Sequence, residues 1–298
     1  MSEPAGIIGL GRIGLPVARA WLKAGYDVYG YDIEPEVVKE FTSAGGKSKE
    51  SPQEVARHAR VIAILVLDDD QVVEVVTGKE GILRTATPET TIICMSTINR
   101  ETLEYVSGKC REMNVGLVDC PFTGGVARIP SGNLTLIAAA PLPLIESVRK
   151  ILAVVGKIVY AGERPGQAQA VKHCNQLLVG ATHAATMEVI TLARRLGLDP
   201  SLVVEVAGSG IAGSDYFRLL SESVLKKTPS PGGLGQMCKD MAIVKNTMRM
   251  TGMDGYVASA AAEYFSTARN LGMENRQGAD LIEVVERASQ DKDETESI

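Results

Sequence analysis

The sequence predicts an α/β protein: a doubly wound, mostly parallel sheet over residues 1–163, followed by an all-helical domain over residues 164–298. Three observations carry this prediction. Seven short β-type runs alternate with helix-type segments in the first half. No convincing strand follows Gly162. The 298-residue chain is 45% apolar but only 4% aromatic and holds 30 glycines, a balance that suits close-packed helices and tight turns better than an aromatic-rich β-sandwich. This length allows one large domain or two ordinary ones around a real core.

In chain order, the strand candidates are GIIGL (6–10), DVYGYD (27–32), RVIAILVL (60–67), TTIICMS (90–96), VGLVDC (115–120), LTLIAAA (134–140) and KIVYAG (157–162). Most are separated by segments of helical spacing such as PVARAWLKAG and LPLIESVRKILAVVG, which implies crossover connections. From GQAQAVKHCNQLLVGATHAATMEVITLARRLGL onward, apolar residues recur every three or four positions, interrupted by GLDP, GSGIAGS and TPSPGGLG. The first helix of this half is expected to run about 25 to 30 residues, well beyond the typical ~11, and to form a spine between two domains. The polar tail SQDKDETESI is expected to fray.

The totals exclude several classes. A net charge of -5 leaves no electrostatic footprint for nucleic acid. The cysteines, Cys94, Cys110, Cys120, Cys174 and Cys238, are odd in number and form no CxxC pair, which disfavours a disulfide framework or a zinc site and fits a reducing interior. The start MSEPAGIIGL has no basic segment ahead of an apolar one, and no apolar run reaches the ~20 residues of a membrane span. A soluble, cytoplasmic protein with neither membrane nor nucleic-acid partner is expected.

GLGRIG at 9–14 places Gly9, Gly11 and Gly14 in GxGxxG spacing, with Leu10, Arg12 and Ile13 between them, after a strand and before a helix. That pattern provides a tight turn, close backbone approach to a pyrophosphate and close helix packing. Asp32 ends the second strand, where a carboxylate accepts from both ribose hydroxyls and repels a 2′-phosphate, so NAD is expected over NADP. The competing reading has the glycines serving turns alone and Asp32 capping the helix that DIEPE opens. At the end of the third strand, the backbone of Val66 and Leu67 is placed to pass the adenosine side, and Asp68 to Asp70 suit a solvated helix N-terminus.

DCPFTGGVARIPSG (119–132) follows the fifth strand. Asp119 and Pro121 terminate that strand, while Thr123, Gly124 and Gly125 expose backbone N–H groups and a hydroxyl suited to a carboxylate; a plain glycine turn capped by Thr123 is the alternative. In AVKHCNQLL (170–178), Lys172 and Asn175 share one helix face. A helical lysine ordinarily lies on the solvated side. The small or apolar Ala168, Val171, Leu178, Val179 and Ala181 argue instead for a helix buried on several faces.

GLGRIG, DCPFTGG, GQAQAVKHCNQ and KDM (239–241), in this order, resemble the motifs of the β-hydroxyacid dehydrogenases, the group containing 3-hydroxyisobutyrate dehydrogenase and tartronate semialdehyde reductase, across roughly residues 5–288. The resemblance implies a Rossmann domain, an all-helical domain and an active site in the cleft between them. It implies Lys172 as the catalytic lysine, Asn175 orienting the substrate, and Thr123, Gly124 and Gly125 holding its carboxylate. Ser96 and Thr97 of MSTI would lie beside substrate and nicotinamide, and Lys239 near the cofactor with Asp240 supporting its helix. The implied reaction is hydride transfer between NAD(H) and a small 3-hydroxy acid or the matching semialdehyde, in a homodimer or homotetramer. The chain departs from the family pattern at Phe122 (usually Val), Thr123 (usually Ser) and Gln176 (usually a second Asn). Phe122 and the methyl of Thr123 crowd the pocket, while Gln176 keeps the hydrogen bonding at longer reach.

In such chemistry a lysine beside the alcohol oxygen takes its proton in oxidation and returns it in reduction. An ordinary lysine titrates near ~10.4, so the base role requires burial near the cationic ring to lower it. His173 points about 100° away from Lys172 and His183 lies three turns further on, so neither is assigned chemistry. Cys120 and Cys174 suit small apolar packing, and Tyr216 of GSDYFRLL either enters the cleft or packs in the core. Three other functions compete. A 6-phosphogluconate dehydrogenase has a longer helical half and His where this chain has Cys174. An imine reductase typically lacks the lysine. A catalytically silent dinucleotide-binding module has no use for Lys172, Asn175 and the glycine loop together.

Overall fold

The structure, a computed structural model, describes the backbone of residues 4–295 and the side chains of 4–288. The first half runs β1 (Ala5–Ile8), α1 (Gly14–Lys23), β2 (Val28–Tyr31), α2 (Pro35–Ser43), β3 (Lys47–Ser48), α3 (Pro52–His58), β4 (Val61–Ile64), α4 (Asp69–Thr77), β5 (Thr91–Cys94), α5 (Arg100–Glu112), β6 (Gly116–Asp119), β7 (Phe122–Thr123), β8 (Leu134–Ala139), α6 (Leu142–Leu152) and β9 (Gly156–Gly162). One sheet takes the order β3-β2-β1-β4-β5-β6-β8-β7, with β9 also paired to β8. β1 to β6 are mutually parallel where they pair; β8 is antiparallel to β6 and β7. All seven predicted strands are present, with ends displaced by up to a few residues. β3 and β7 are additional, and at two residues each they are too short to show an alternating pattern.

Side-chain alternation explains the double winding. Ala63, Ile93 and Val118 belong to a core with Val17, Trp21, Ile145 and Val148 of α1 and α6. Their neighbours Ile62, Ile64, Ile92 and Cys94 belong to a second core with Val55, Val72, Leu103 and Val106 of α3, α4 and α5. Strands apolar at consecutive positions can bury both faces only when helices cover each. The chain reverses its direction of travel across the sheet between β1 and β4, so the carboxyl ends of these two strands flank the crevice where such sheets bind ligands.

The second half is α7 (Gln167–Arg195), α8 (Pro200–Ser209), α9 (Asp215–Lys226), α10 (Leu234–Thr251), α11 (Tyr256–Asn270) and α12 (Ile282–Thr295). The predicted punctuation works as caps: Gly197 takes φ +68° after α7, Asp199 caps α8 ahead of Pro200, and Ser214 caps α9 through Phe217 N–H. Among the described residues this half holds no strand beyond an isolated bridge between Gly233 and Gln277. Its core gathers Met187, Leu220, Leu234, Met241, Phe265 and Leu281. Two compact units divide within α7, at Met1–Lys172 and His173–Ile298.

α7 spans 29 residues. Its buried positions 169, 172, 173, 176, 180, 183, 184 and 187 form one helical stripe, and Val171, Cys174 and Leu178 lie exposed on another. Within one chain this face of α7 is therefore open, against the expectation of a helix buried on several faces and of apolar packing for Cys174: the three- and four-residue steps from 171 to 174 to 178 keep them off the stripe that the chain itself buries. Backbone helix continues in α12 to Thr295, where fraying was expected; Gln, Lys and Glu are adequate helix formers despite their polarity. Residues 296–298 of that tail lie outside the described residues.

Candidate active site

β1 pairs Ile8 with Tyr31 of β2 and with Ile64 of β4, so Gly9, Asp32 and Leu65 emerge side by side. Gly9 takes φ +89°, and a Cβ there would lie 2.6 Å from the Leu65 carbonyl oxygen. A Cβ on Gly14 would lie 1.8 Å from the Gly9 carbonyl oxygen. These two glycines are required by the protein's own backbone. Gly11 differs, because a Cβ there meets nothing within 4 Å. α1 begins at this turn with no side-chain cap and no acidic residue in its first turn, leaving its positive end to an outside anion.

The Asp32 carboxylate accepts Leu10 N–H through Oδ2 at 2.5 Å and Glu34 N–H through Oδ1 at 2.9 Å. It therefore braces the glycine turn and opens the chain toward α2, and each oxygen keeps a lone pair for a ribose hydroxyl. Asp32 does not cap α2, whose N-cap is Glu34 with no side-chain cap; its bond to Glu34 N–H is a local turn ahead of the helix, so the capping alternative posed from the sequence is not what forms here. Glycine turn, uncapped helix and carboxylate fit a dinucleotide's pyrophosphate and adenosine ribose.

At the end of β4, the Val66 carbonyl accepts the Ser96 hydroxyl at 2.7 Å, while the exposed Leu67 donates its N–H to Gln71 at 2.8 Å. Asp68 caps α4 through Gln71 N–H at 2.9 Å, as a helix N-terminus should. Asp69 accepts both the backbone N–H and the side-chain amide of Asn99, tying α4 to the loop after β5 that carries Ser96 and Thr97.

Lys172 is 7% exposed. One turn earlier on the same face, Gln169 is fully buried: its Nε2 donates to the Ser96 carbonyl at 2.9 Å and its Oε1 accepts Ile98 N–H at 3.2 Å. The turn between them and the start of α7 is capped from the sheet. Asp119, the last residue of β6 and 1% exposed, accepts through Oδ2 the N–H groups of Gly166, Ala168 and Gln169 at 2.9, 3.1 and 3.2 Å. Its Oδ1 has no hydrogen-bond partner among the described residues. Burial pushes the carboxyl up to about 7 against the opposing pull of those three amides.

Thr123 pairs with Thr135 in the short β7–β8 ladder, Gly124 and Gly125 follow at φ +124° and +76°, and a 3₁₀ turn opens at Val126. A Cβ on Gly125 meets nothing within 4 Å. This turn lies at the end of the sheet path opposite β3.

In the second unit, Asn175 donates to Gln176 Oε1 at 2.9 Å, Gln176 Nε2 donates to Asp240 Oδ2 at 2.6 Å, and Asp240 pairs with Lys239 at 3.0 Å. Four residues singled out from separate motifs thus form one chain of contacts. His173 and Thr247 share a hydrogen bond at 2.8 Å. His183 bridges the Gly278 carbonyl and the Tyr216 hydroxyl, each at 2.9 Å. Since a carbonyl only accepts, Nε2 carries the proton and Nδ1 accepts from Tyr216. Burial lowers His183 to about 4, and it raises Tyr216, with the Asp240 carboxylate adding to the shift. Tyr216 packs against the second unit's core.

Sequence reasoning missed Gln169 and the capping role of Asp119. The available signal was a buried-type stripe through 169, 172 and 176 and an acid at a strand end. Among the described residues, no group of three or more His, Cys, Asp or Glu side chains could hold a metal ion.

Residues 4–162 match the family model for the NAD binding domain of 6-phosphogluconate dehydrogenase, and residues 166–285 match that for the NAD-binding region of NADP-dependent 3-hydroxyisobutyrate dehydrogenase. Fold and glycine turn thus define an NAD(P)-binding protein. The chain is 30% identical to L-threonate dehydrogenase of Cupriavidus necator over 95% of its own length and 96% of the relative's. It is 32% identical to human mitochondrial 3-hydroxyisobutyrate dehydrogenase over 83% and 76%. The crystal structure of 3-hydroxyisobutyrate dehydrogenase from Salmonella typhimurium superposes with a TM-score of 0.87 at 25% identity, covering 95% of this chain and all of that one. The chain belongs to the β-hydroxyacid dehydrogenase family, a family of NAD(P)-dependent oxidoreductases.

Proposed function

We propose that this protein transfers a hydride between NAD(H) and a small 3-hydroxy acid or its semialdehyde, with Lys172 as general acid/base. One observation carries the reading: a lysine withdrawn from solvent sits one turn beyond a glutamine fastened to the loop after β5, on the strand-end side where this fold holds its cofactor. A bound nicotinamide dinucleotide supplies hydride transfer. Gly9, Leu10, Gly11, Arg12, Ile13 and Gly14 would hold its pyrophosphate, Asp32 its ribose, and Val66, Leu67, Thr97 and Lys239 its remaining length. Lys172 accepts the hydroxyl proton in oxidation and returns it in reduction, its ammonium form stabilising the developing alkoxide. Thr123, Gly124 and Gly125 bind the substrate carboxylate, Gly125 contributing an open approach. Ser96 and Asn175 orient the reacting carbon, with Gln176 setting the Asn175 amide.

NAD is favoured over NADP because the Asp32 carboxylate would meet a 2′-phosphate with like charge. Phe122, expected to crowd the pocket, packs against the core that includes Leu136 and Ile145. The named relatives act on L-threonate and 3-hydroxyisobutyrate, which are the first substrates to try. The deciding experiment is a spectrophotometric panel of small 3-hydroxy acids and semialdehydes, with NAD(H) and NADP(H) side by side, on wild type and Lys172→Met. A drop in kcat of about 10²- to 10⁴-fold is expected in the variant; equal turnover would remove the assignment.

A second copy is proposed to cover α7. Its exposed Val171, Leu178, Ala185 and Leu192 recur every seven residues, the spacing of a helix-pairing seam. A homodimer or homotetramer is the expected state. No helix among the described residues is long and apolar enough to cross a membrane, and the five free cysteines suit the reducing cytoplasm.

A further inference from the structure

We infer that Asp119 and Gln169 are positioning residues that fasten the first turn of α7 to the sheet and so fix where Lys172 stands; the inference rests on the catalytic reading of that lysine. The contacts form a continuous series: β6 ends in a carboxylate that holds the N–H groups of Gly166, just ahead of α7, and of Ala168 and Gln169 in its first turn, α7 returns Gln169 to the backbone of residues 96 and 98, and Ser96 donates onward to Val66, two residues past β4. Three strand ends are thereby joined through one helical turn.

A buried carboxyl and a buried amide are a poor way to gain stability in a core, where apolar residues of equal volume usually serve at least as well. What they provide is direction. The Gln169 amide has one donor edge and one acceptor edge, matched to a carbonyl and an N–H two residues apart, so the helix can neither rotate nor slide without losing both. Lys172 follows at i+3, close enough that a shift of an ångström at Gln169 passes to its Cα. Misplacement on that scale depresses kcat far more than ground-state binding.

The test compares Gln169→Met, Gln169→Glu, Asp119→Asn and Lys172→Met. Turnover is read with NAD+ and whichever of 3-hydroxyisobutyrate and L-threonate wild type oxidises faster, alongside NADH affinity by fluorescence and thermal unfolding. Gln169→Met, close in shape but without the amide, is expected to lose at least about 30-fold in kcat, with KM and NADH Kd within about threefold of wild type. Gln169→Glu is the diagnostic. Its ionised side chain cannot donate to the Ser96 carbonyl, while its protonated form can donate there and still accept from Ile98, so kcat relative to wild type should recover as pH falls from 8 toward 5. A purely structural role predicts no such recovery. Asp119→Asn keeps an acceptor but exchanges one charge-assisted cap for a weaker one; hydrogen exchange at the amides of 166, 168 and 169 should quicken and kcat fall with KM held.

Wild-type kcat in Gln169→Met, with Lys172→Met inactive, overturns this inference and spares the catalytic reading. Turnover retained in Lys172→Met overturns both. If Gln169→Met does not fold, the Gln169→Glu profile decides alone: a pH-independent ratio to wild type refutes the proposal.

Discussion

Gly11 and Gly14 occupy the same turn but answer to different constraints, and alanine at each should separate them. At Gly14 the added Cβ would lie 1.8 Å from the Gly9 carbonyl oxygen and 2.8 Å from its carbon, with no flexible side chain to give way. Helix and strand must part by more than an ångström, a distortion worth at least the ~1–3 kcal/mol typical of overpacking. At about 2–4 °C per kcal/mol for a chain of this size, Tm should fall by roughly 2–12 °C, without any ligand present. At Gly11 the same methyl meets nothing within 4 Å, and the backbone is not in the left-handed region. Alanine there should leave Tm unchanged or raise it slightly, since it restricts the unfolded chain by ~0.4–1 kcal/mol. It should nonetheless weaken NADH binding by about tenfold or more, equivalent to ~1.4 kcal/mol, because the methyl enters the path of the pyrophosphate. Thermal unfolding of the ligand-free proteins and fluorescence titration with NADH measure both effects. Wild-type NADH affinity in Gly11→Ala, or wild-type Tm in Gly14→Ala, would refute the division of labour.

Asp32→Asn keeps an acceptor for Leu10 N–H but removes the charge, so the ratio of kcat/KM for NADP+ over NAD+ should rise at least about tenfold in side-by-side kinetics. His183 titrates lower in the folded protein, about 4, than the 6.5 of a free imidazole. The unfolded chain therefore binds the proton more readily, and stability present above about pH 6.5 is lost as pH falls toward 4. Wild type should lose about 2 kcal/mol more than His183→Gln between pH 7 and pH 5 in urea unfolding, and parallel losses would contradict the burial argument. Leu178→Glu, on the exposed seam of α7, should lower the oligomeric state seen by light scattering; an unchanged mass would place the subunit contact elsewhere.

Much of this was legible beforehand because it is local. The strands announced themselves through short β-branched runs, α7 through its three- and four-residue period, and the cofactor turn through glycine spacing next to a strand. β3 and β7 were not, since two residues carry no period. The exposure of Val171, Cys174 and Leu178 was misjudged because composition around Lys172 was weighed without following each residue's angle on the helix. Asp119 and Gln169 could not be paired from sequence: Asp119 meets α7 across 47 to 50 positions, and Gln169 meets the β5 loop across 71 and 73. Only the parallel register that aligns the ends of β4, β5 and β6 brings them together.

The capping of α7 by a sheet carboxylate has a bearing on how such proteins can be recombined. Severing the chain at residue 163, where the strand pattern stops, would strand Asp119 without its three amides and discard the lysine. A junction placed beyond Lys172 keeps the acid, the glutamine and the lysine as one transferable cassette with the nucleotide half. Helical halves from relatives could then be exchanged behind it, with Asp119, Gln169 and Lys172 inherited together from one parent.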